Sequence, residues 1–174
     1  MKIKTEAIES HASFSPCRQW RYTLERRFAF GEGIINFIML NPSTADEDHN
    51  DPTVGRCEKI ALSRNYNGMI ITNLYAYRAT DPREMMRAHA GGADVIGAEN
   101  DCAIINSASR SKQVICAWGN HGVLAGRSKQ VKEMLTPMHA KLHYLVMNKS
   151  GEPKHPLYVA AGCEPIQWVL TNAK

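Results

Sequence analysis

M-L-N-P-S-T-A-D-E-D-H-N-D-P-T, residues 39–53, decides how this chain is read, because it converts an apolar strand-like run at 34–40 into a long, chemically loaded loop. Two prolines, two asparagines, four carboxylates and a histidine fall within residues 41–53. Most connections in compact domains are about 4–6 residues long, and longer ones tend to carry function or to be disordered. The run is read as a functional loop at the carboxyl end of a central strand.

Working outward, the run at 34–40 is almost continuously apolar, as expected of a strand covered on both faces. After the loop, Asp51-Pro52 has the form of a helix N-cap with proline at the first helical position, and Val54, Cys57, Ile60 and Ala61 recur at helical spacing. Asn67-Gly68 is a turn, and a second core strand is expected over 69–75. Asp81-Pro82 opens a short helix that Gly91-Gly92 closes, and a further helix is predicted over 94–107. Core strands are expected at 113–118 and 141–147, with a G-N-H-G turn at 119–122 and an amphipathic helix from Val123 to before Pro137 between them. Upstream, 18–28 has Trp20, Tyr22 and Leu24 in alternation, as in a half-buried edge strand. A flexible loop at 148–155 then leads to a short terminal helix.

Strands alternating with helices predict an α/β fold, a three-layer α/β/α sandwich around a mainly parallel sheet, in one domain spanning 1–174. In open sheets of this kind, ligands bind outside the carboxyl ends of the strands. The segments directly after the four core strands carry the polar and glycine-rich chemistry, whereas the opposite connections are ordinary turns. One rim of the sheet is therefore the expected site.

Composition narrows the function classes. The chain has 174 residues, 44% of them hydrophobic, enough for one good core. It has neither an apolar run long enough to span a bilayer nor a signal-peptide core, so a cytoplasmic location without membrane association is expected. Five cysteines, widely spaced and without a C-x-x-C pair, are read as buried free thiols. A net charge of +4 and a pI near 8.8 permit a polyanionic partner but fall below the pI of about 9 that marks a strong nucleic-acid footprint.

Several side chains on the expected rim are suited to chemistry. Asn41, at a strand end before Pro42, offers a carbonyl acceptor and an amide donor to a water or a small ligand. Asp46, Asp48 and Asn50 have the first three spacings of a calcium loop, but Asp51 and Cys57 stand where it needs glycine and glutamate. No metal site or cofactor is assigned, with weak magnesium binding at 46–51 left open. Asp46, Asp48 and Asp51 compete as the carboxylate that would activate water, while Asp51 also caps a helix. Asn73, inside the apolar I-I-T-N-L-Y strand, needs a partner for its amide, either backbone or a ligand with a donor-acceptor edge. His155 before Pro156 is expected at a helix N-cap, where the dipole disfavours imidazolium and leaves a neutral donor for a developing anion. Ser43, Thr44, Gly119, His121 and Arg56 complete the candidate binding residues, and Arg127, Lys149 and Lys154 are candidates for phosphate contact.

The order L-N-P-S-T-A-D, D-P-T-V-G-R-C, T-N-L-Y-A-Y-R-A-T-D-P, A-W-G and K-S-G-E-P-K-H-P-L-Y resembles a family of small bacterial proteins known as a domain of unknown function, over residues 18–158. More distantly, Asn41-Pro42, Asn73, Trp118-Gly119 and His155-Pro156 resemble, in order, four motifs of uracil-DNA glycosylases and their mismatch-specific relatives. That resemblance implies a uracil-DNA glycosylase-like fold and hydrolysis of an N-glycosidic bond in nucleic acid. Asn41 would position the water, Asn73 would read the base edge and His155 would stabilise the departing base. Two departures stand out: Ser43-Thr44 replaces the glycine that ordinarily follows the N-P motif, and Leu157-Tyr158 replaces the serine after H-P. Action on a free nucleotide or modified nucleoside, and non-catalytic nucleic-acid binding, are the alternatives carried forward.

Overall fold

The computed structural model describes residues 5–170; residues 1–4 and 171–174 of the expected domain lie outside the described residues. Strands β1 (Glu9–Phe14), β2 (Arg21–Arg27), β3 (Ile34–Met39), β4 (Gly68–Asn73), β5 (Gln113–Cys116), β6 (Leu142–Tyr144) and β7 (Ile166–Gln167) form one sheet in the order β1-β2-β4-β3-β5-β6-β7. Helices α1 (Pro52–Ser63), α2 (Pro82–Ala90), α3 (Asn100–Arg110) and α4 (Arg127–Met134) connect them. The fold is α/β with a mixed sheet. The core pairings β4·β3, β3·β5 and β5·β6 are parallel, whereas β1·β2, β2·β4 and β6·β7 are antiparallel. The expectation of a mainly parallel sheet therefore holds only for the centre.

Period-two alternation on β3 explains how the sheet is covered. Ile35, Phe37 and Met39 pack with Val54, Cys57 and Ala61 of α1, while Ile38 joins Ile104 of α3 and Val131 of α4 in a second cluster. Both clusters bury their members, so β3 is apolar except at Asn36, which is buried and donates to the Ile70 carbonyl at 3.1 Å. Burial of one such side chain contributes roughly 1.5–3 kcal/mol.

Five elements differ from expectation. The helix expected from Val123 starts only at Arg127, because Leu124 and Ala125 leave helical backbone angles and separate it from the 120–126 turn. β2 is an interior strand, because β1, whose polar sequence alternates between exposed and half-buried positions, covers its outer edge. Ser13 pairs with Thr23 but Phe14 with Arg21, leaving Tyr22 as the extra residue of a bulge. The helix expected from Asp94 starts at Asn100, since the Asp94 carboxylate accepts from the backbone N–H groups of Ile96 and Gly97 and holds a turn. β6 stops after Tyr144, and the chain folds back on itself. Asn148 N–H donates to the Glu152 carbonyl at 3.0 Å and Lys154 N–H to that of Val146 at 2.8 Å, so 148–155 is a hydrogen-bonded hairpin rather than a flexible loop. All five cysteines are free, but only Cys57 and Cys116 are buried; Cys17 and Cys102 are exposed.

The chain leaves β3 through α1 to reach β4 on one side and later reaches β5 on the other. β3 is thus the point where strand order reverses. A crevice is expected outside the carboxyl ends of strands at such a point. No helix among the described residues is long and apolar enough to cross a membrane.

Candidate functional site

A cleft of about 810 Å³ lies at that reversal point. It is lined by residues following each of the four parallel strands: Leu40 and Asn41 after β3, Ala79 and Asp81 after β4, Trp118 and Gly119 after β5, and Lys154 and His155 after β6. A second concavity, of about 520 Å³, is lined by Ser63, Arg64, Tyr66, Gln113, Gly162 and Glu164. Its two charged residues are paired with each other at 2.7 Å, so it offers no free ionic group.

Asn41 is fixed from one side only. Its amide donates to the Ala79 carbonyl at 2.8 Å and to the Pro42 carbonyl at 3.2 Å. The side-chain oxygen remains an acceptor in the cleft lining. Pro42 is buried and does not line the cleft; its carbonyl also accepts from Ala79 N–H at 2.9 Å and stitches the loops after β3 and β4 together.

The structure separates the competing carboxylates. Asp46 Oδ1 accepts from the backbone N–H groups of Asp48 and His49, closing a turn, and Asp48 is exposed. Asp46, Asp48 and His49 bring ligand-type atoms within 4.8 Å of one another, yet none of the three lines the cleft. Asp51 does line it, although only 5% exposed, and caps α1 by accepting from Val54 N–H at 2.9 Å. Asp46, expected to touch substrate, instead shapes the loop.

That loop is held from below by two buried arginines of β2. Arg21 donates to the Ala45 carbonyl at 2.9 Å; Arg26 donates to the Asp46 carbonyl at 2.7 Å and to the Asn50 side chain at 2.9 Å. Burial lowers the Arg21 guanidinium pKa to about 10, with the charge of Asp51 opposing the shift most strongly. Sequence reading missed both anchors. Arg26 shares the parity of Leu24, and that was the available signal of its inward direction. For Arg21 the bulge at Tyr22 breaks the alternation and removes the signal.

His155 lines the cleft beside Gly119; a Cβ built on that glycine would lie 3.8 Å from the His155 Cβ. Gly119 has a φ of +74° and donates its N–H to the Pro153 carbonyl at 2.8 Å, so its lack of a side chain serves the turn. Leu157 N–H approaches His155 Nδ1 at 3.4 Å, which assigns the proton of the neutral ring to Nε2. Desolvation lowers the His155 pKa, partly opposed by Asp51. Burial is thus the main cause of the lowered pKa, because only a three-residue 3-10 turn, Pro156–Tyr158, follows and supplies little dipole.

Asn73, Arg56, Arg127 and Lys149 lie outside the cleft lining. Asn73 is in register with Met39, so the strand alternation points it toward the α1 side, where it is 1% exposed. Among the described residues both its amide atoms lack partners, as does Arg21 Nε. Arg56 donates to the Val159 carbonyl at 2.7 Å and ties down the end of the His155 turn. Arg127 is buried on Asp101 and the Leu74 carbonyl and has no free face for phosphate. Ser43, Thr44 and His121 do line the cleft.

Residues given no site role from the sequence complete it. Trp118 donates from Nε1 to Glu152 at 2.5 Å, and Ser128 donates to the same carboxylate at 3.1 Å, which fixes the indole and the 148–155 hairpin together. Asp81 caps α2, and its hydrogen bonds from Arg83 hold its carboxyl below the ordinary carboxylate range. Asp51 and Asn41 thus offer acceptors, and His155 offers an uncharged donor within electrostatic reach of Asp51.

Fold and cleft together define an α/β protein with a cleft at the carboxyl ends of a parallel core. The chain belongs to the family described as Protein of unknown function (DUF1643), whose model matches residues 21–157. No curated protein and no solved structure matches it.

Proposed function

We propose that the cleft hydrolyses an N-glycosidic bond to a nucleobase in nucleic acid, on a three-layer α/β/α architecture of the uracil-DNA glycosylase kind. The observation that carries this reading is the convergence of Asn41, Asp51 and His155 in one cleft. The apolar clusters on the two faces of β3 support the layering.

Breaking the bond develops positive charge on the sugar and negative charge on the departing base. Catalysis needs groups that interact more strongly with those charges than with the ground state. The Asn41 oxygen and the Asp51 carboxylate are acceptors for an attacking water, with Asp51 taking its proton. The His155 Nε2–H donates to the departing base without adding a charge that would have to be desolvated. A base in a duplex would first have to leave the stack, at a cost of a few kcal/mol. The buried position of Asn73 removes it from direct reading of the base in this arrangement.

The test is mass spectrometry of single- and double-stranded oligonucleotides carrying uracil, hypoxanthine, or G:T and G:U mismatches after incubation with the protein. Loss of one base mass supports the reading. Intact oligonucleotides across the whole panel contradict it.

A further inference from the structure

Beside His155 the chain presents two large side chains to solvent in succession. Leu157 is 45% exposed and Tyr158 73%, and both line the mouth of the cleft. Scattered exposed apolar residues need no explanation, but these two are held on a fixed support. Pro156 and Val159 on either side are buried, Arg56 binds the Val159 carbonyl at 2.7 Å, and Tyr158 N–H donates to the His155 carbonyl at 3.0 Å. The Tyr158 ring lies 5.9 Å from the His155 ring at an interplanar angle of 54°, leaving most of its surface open.

Arg83, at the cleft, is paired with Asp81, and elsewhere Arg18, Arg64, Arg110 and Lys112 have carboxylate partners within 3.0 Å. Lys149 and Lys154, on the hairpin leading to His155, have no ion-pair or side-chain hydrogen-bond partner among the described residues, and Lys154 lines the cleft. A fixed aromatic face next to unpaired cations suits a ligand that alternates flat rings with phosphates. Stacking on an aromatic side chain is tolerant of sequence, and the cations follow the backbone.

Building on the hydrolytic reading of the cleft, we propose that Tyr158 is the stacking platform for the base next to the one in the cleft, and that the substrate is a single-stranded polynucleotide whose phosphates run past Lys154 and Lys149. A free mononucleotide would leave the platform unused. A fully stacked duplex would not offer it a base face.

The test is binding of the full chain to a single-stranded oligonucleotide containing 2-aminopurine, whose fluorescence falls on stacking, with a matched duplex and uridine monophosphate as comparisons. The wild type is expected to bind the single strand with quenching and with affinity that falls as salt rises. Tyr158→Ala should weaken that binding about 5- to 140-fold, the range for one stacked base. Tyr158→Phe should keep it, and Lys154→Gln should reduce the salt dependence. Affinity for uridine monophosphate should not change in Tyr158→Ala. Equal affinity of Tyr158→Ala and wild type for the single strand would overturn the proposal, as would equal losses in the Ala and Phe variants or tighter binding to the duplex. Base release is scored separately: stacking without release leaves the platform standing and removes the hydrolytic reading, whereas release with unchanged Tyr158→Ala binding does the reverse.

Discussion

Replacing Asp51 by asparagine and, separately, by alanine divides its two roles. Its Oδ1 accepts from Val54 N–H at 2.9 Å and so satisfies one of the free donors at the start of α1. Alanine removes that bond, at a cost of about 1 kcal/mol within a range of roughly 0.5–2. For a chain of this size that lowers Tm by about 2–4 °C. Asparagine caps a helix as well as aspartate does and preserves the bond. It also removes the carboxylate, and loss of a positioned general base lowers turnover by about 10²- to 10⁴-fold. Asp51→Asn should therefore match the wild type closely in urea unfolding while losing base release; Asp51→Ala should lose both. Wild-type turnover in Asp51→Asn would refute the assignment of this carboxylate. Equal destabilisation of the two variants would refute the cap as its structural contribution.

Other outcomes follow from the same geometry. Burial lowers the His155 pKa from the ordinary 6.5, so below that pH the unfolded chain binds more protons than the folded one. Stability should be at its full value above pH 6.5 and fall as pH drops through the folded value. His155→Gln should flatten that slope in pH-dependent thermal melts, and an unchanged slope would place the titration elsewhere. A Cβ at Gly122 would lie 2.3 Å from Trp118 Cδ1 and 2.9 Å from Leu74 Cδ1. Because the indole is held by Glu152, Gly122→Ala should cost about 1–3 kcal/mol and change tryptophan fluorescence, whereas a neutral substitution would mean the turn yields freely. Asn73 buries two amide atoms without partners among the described residues, so Asn73→Leu should unfold no earlier than the wild type. A loss above about 1 kcal/mol would show that the amide has a partner in solution.

The centre of the fold was legible because its signals are local. The apolar run of β3, the Asp-Pro caps of α1 and α2, and the turn at Asn67-Gly68 each act within a few residues. From them the carboxyl rim followed, and the cleft lies there. What escaped the sequence depended on distant partners. Glu9–Phe14 is too polar to announce a strand, and becomes one by pairing with β2. That pairing also turns β2 from an edge into an interior strand, in which two arginines hold backbone carbonyls of the loop. The rank order of Asp46, Asp48 and Asp51 could not be read for the same reason, since it depends on which carboxylate the anchored loop directs into the cleft. Asn73 shows the converse. Its position in a motif invited a binding role, but its register beside Met39 turns it toward the α1 layer.

The most direct measurement of the central claim is base release from a uracil- or hypoxanthine-containing oligonucleotide by the wild type, Asn41→Ala and Asp48→Asn, followed by mass spectrometry in parallel. Asn41 lines the cleft with a free acceptor, whereas Asp48 is exposed outside the cleft lining. The wild type and Asp48→Asn should release base and Asn41→Ala should release none. Release that survives in Asn41→Ala, or its absence in all three proteins, would mean that the cleft is not a site of base hydrolysis that uses Asn41.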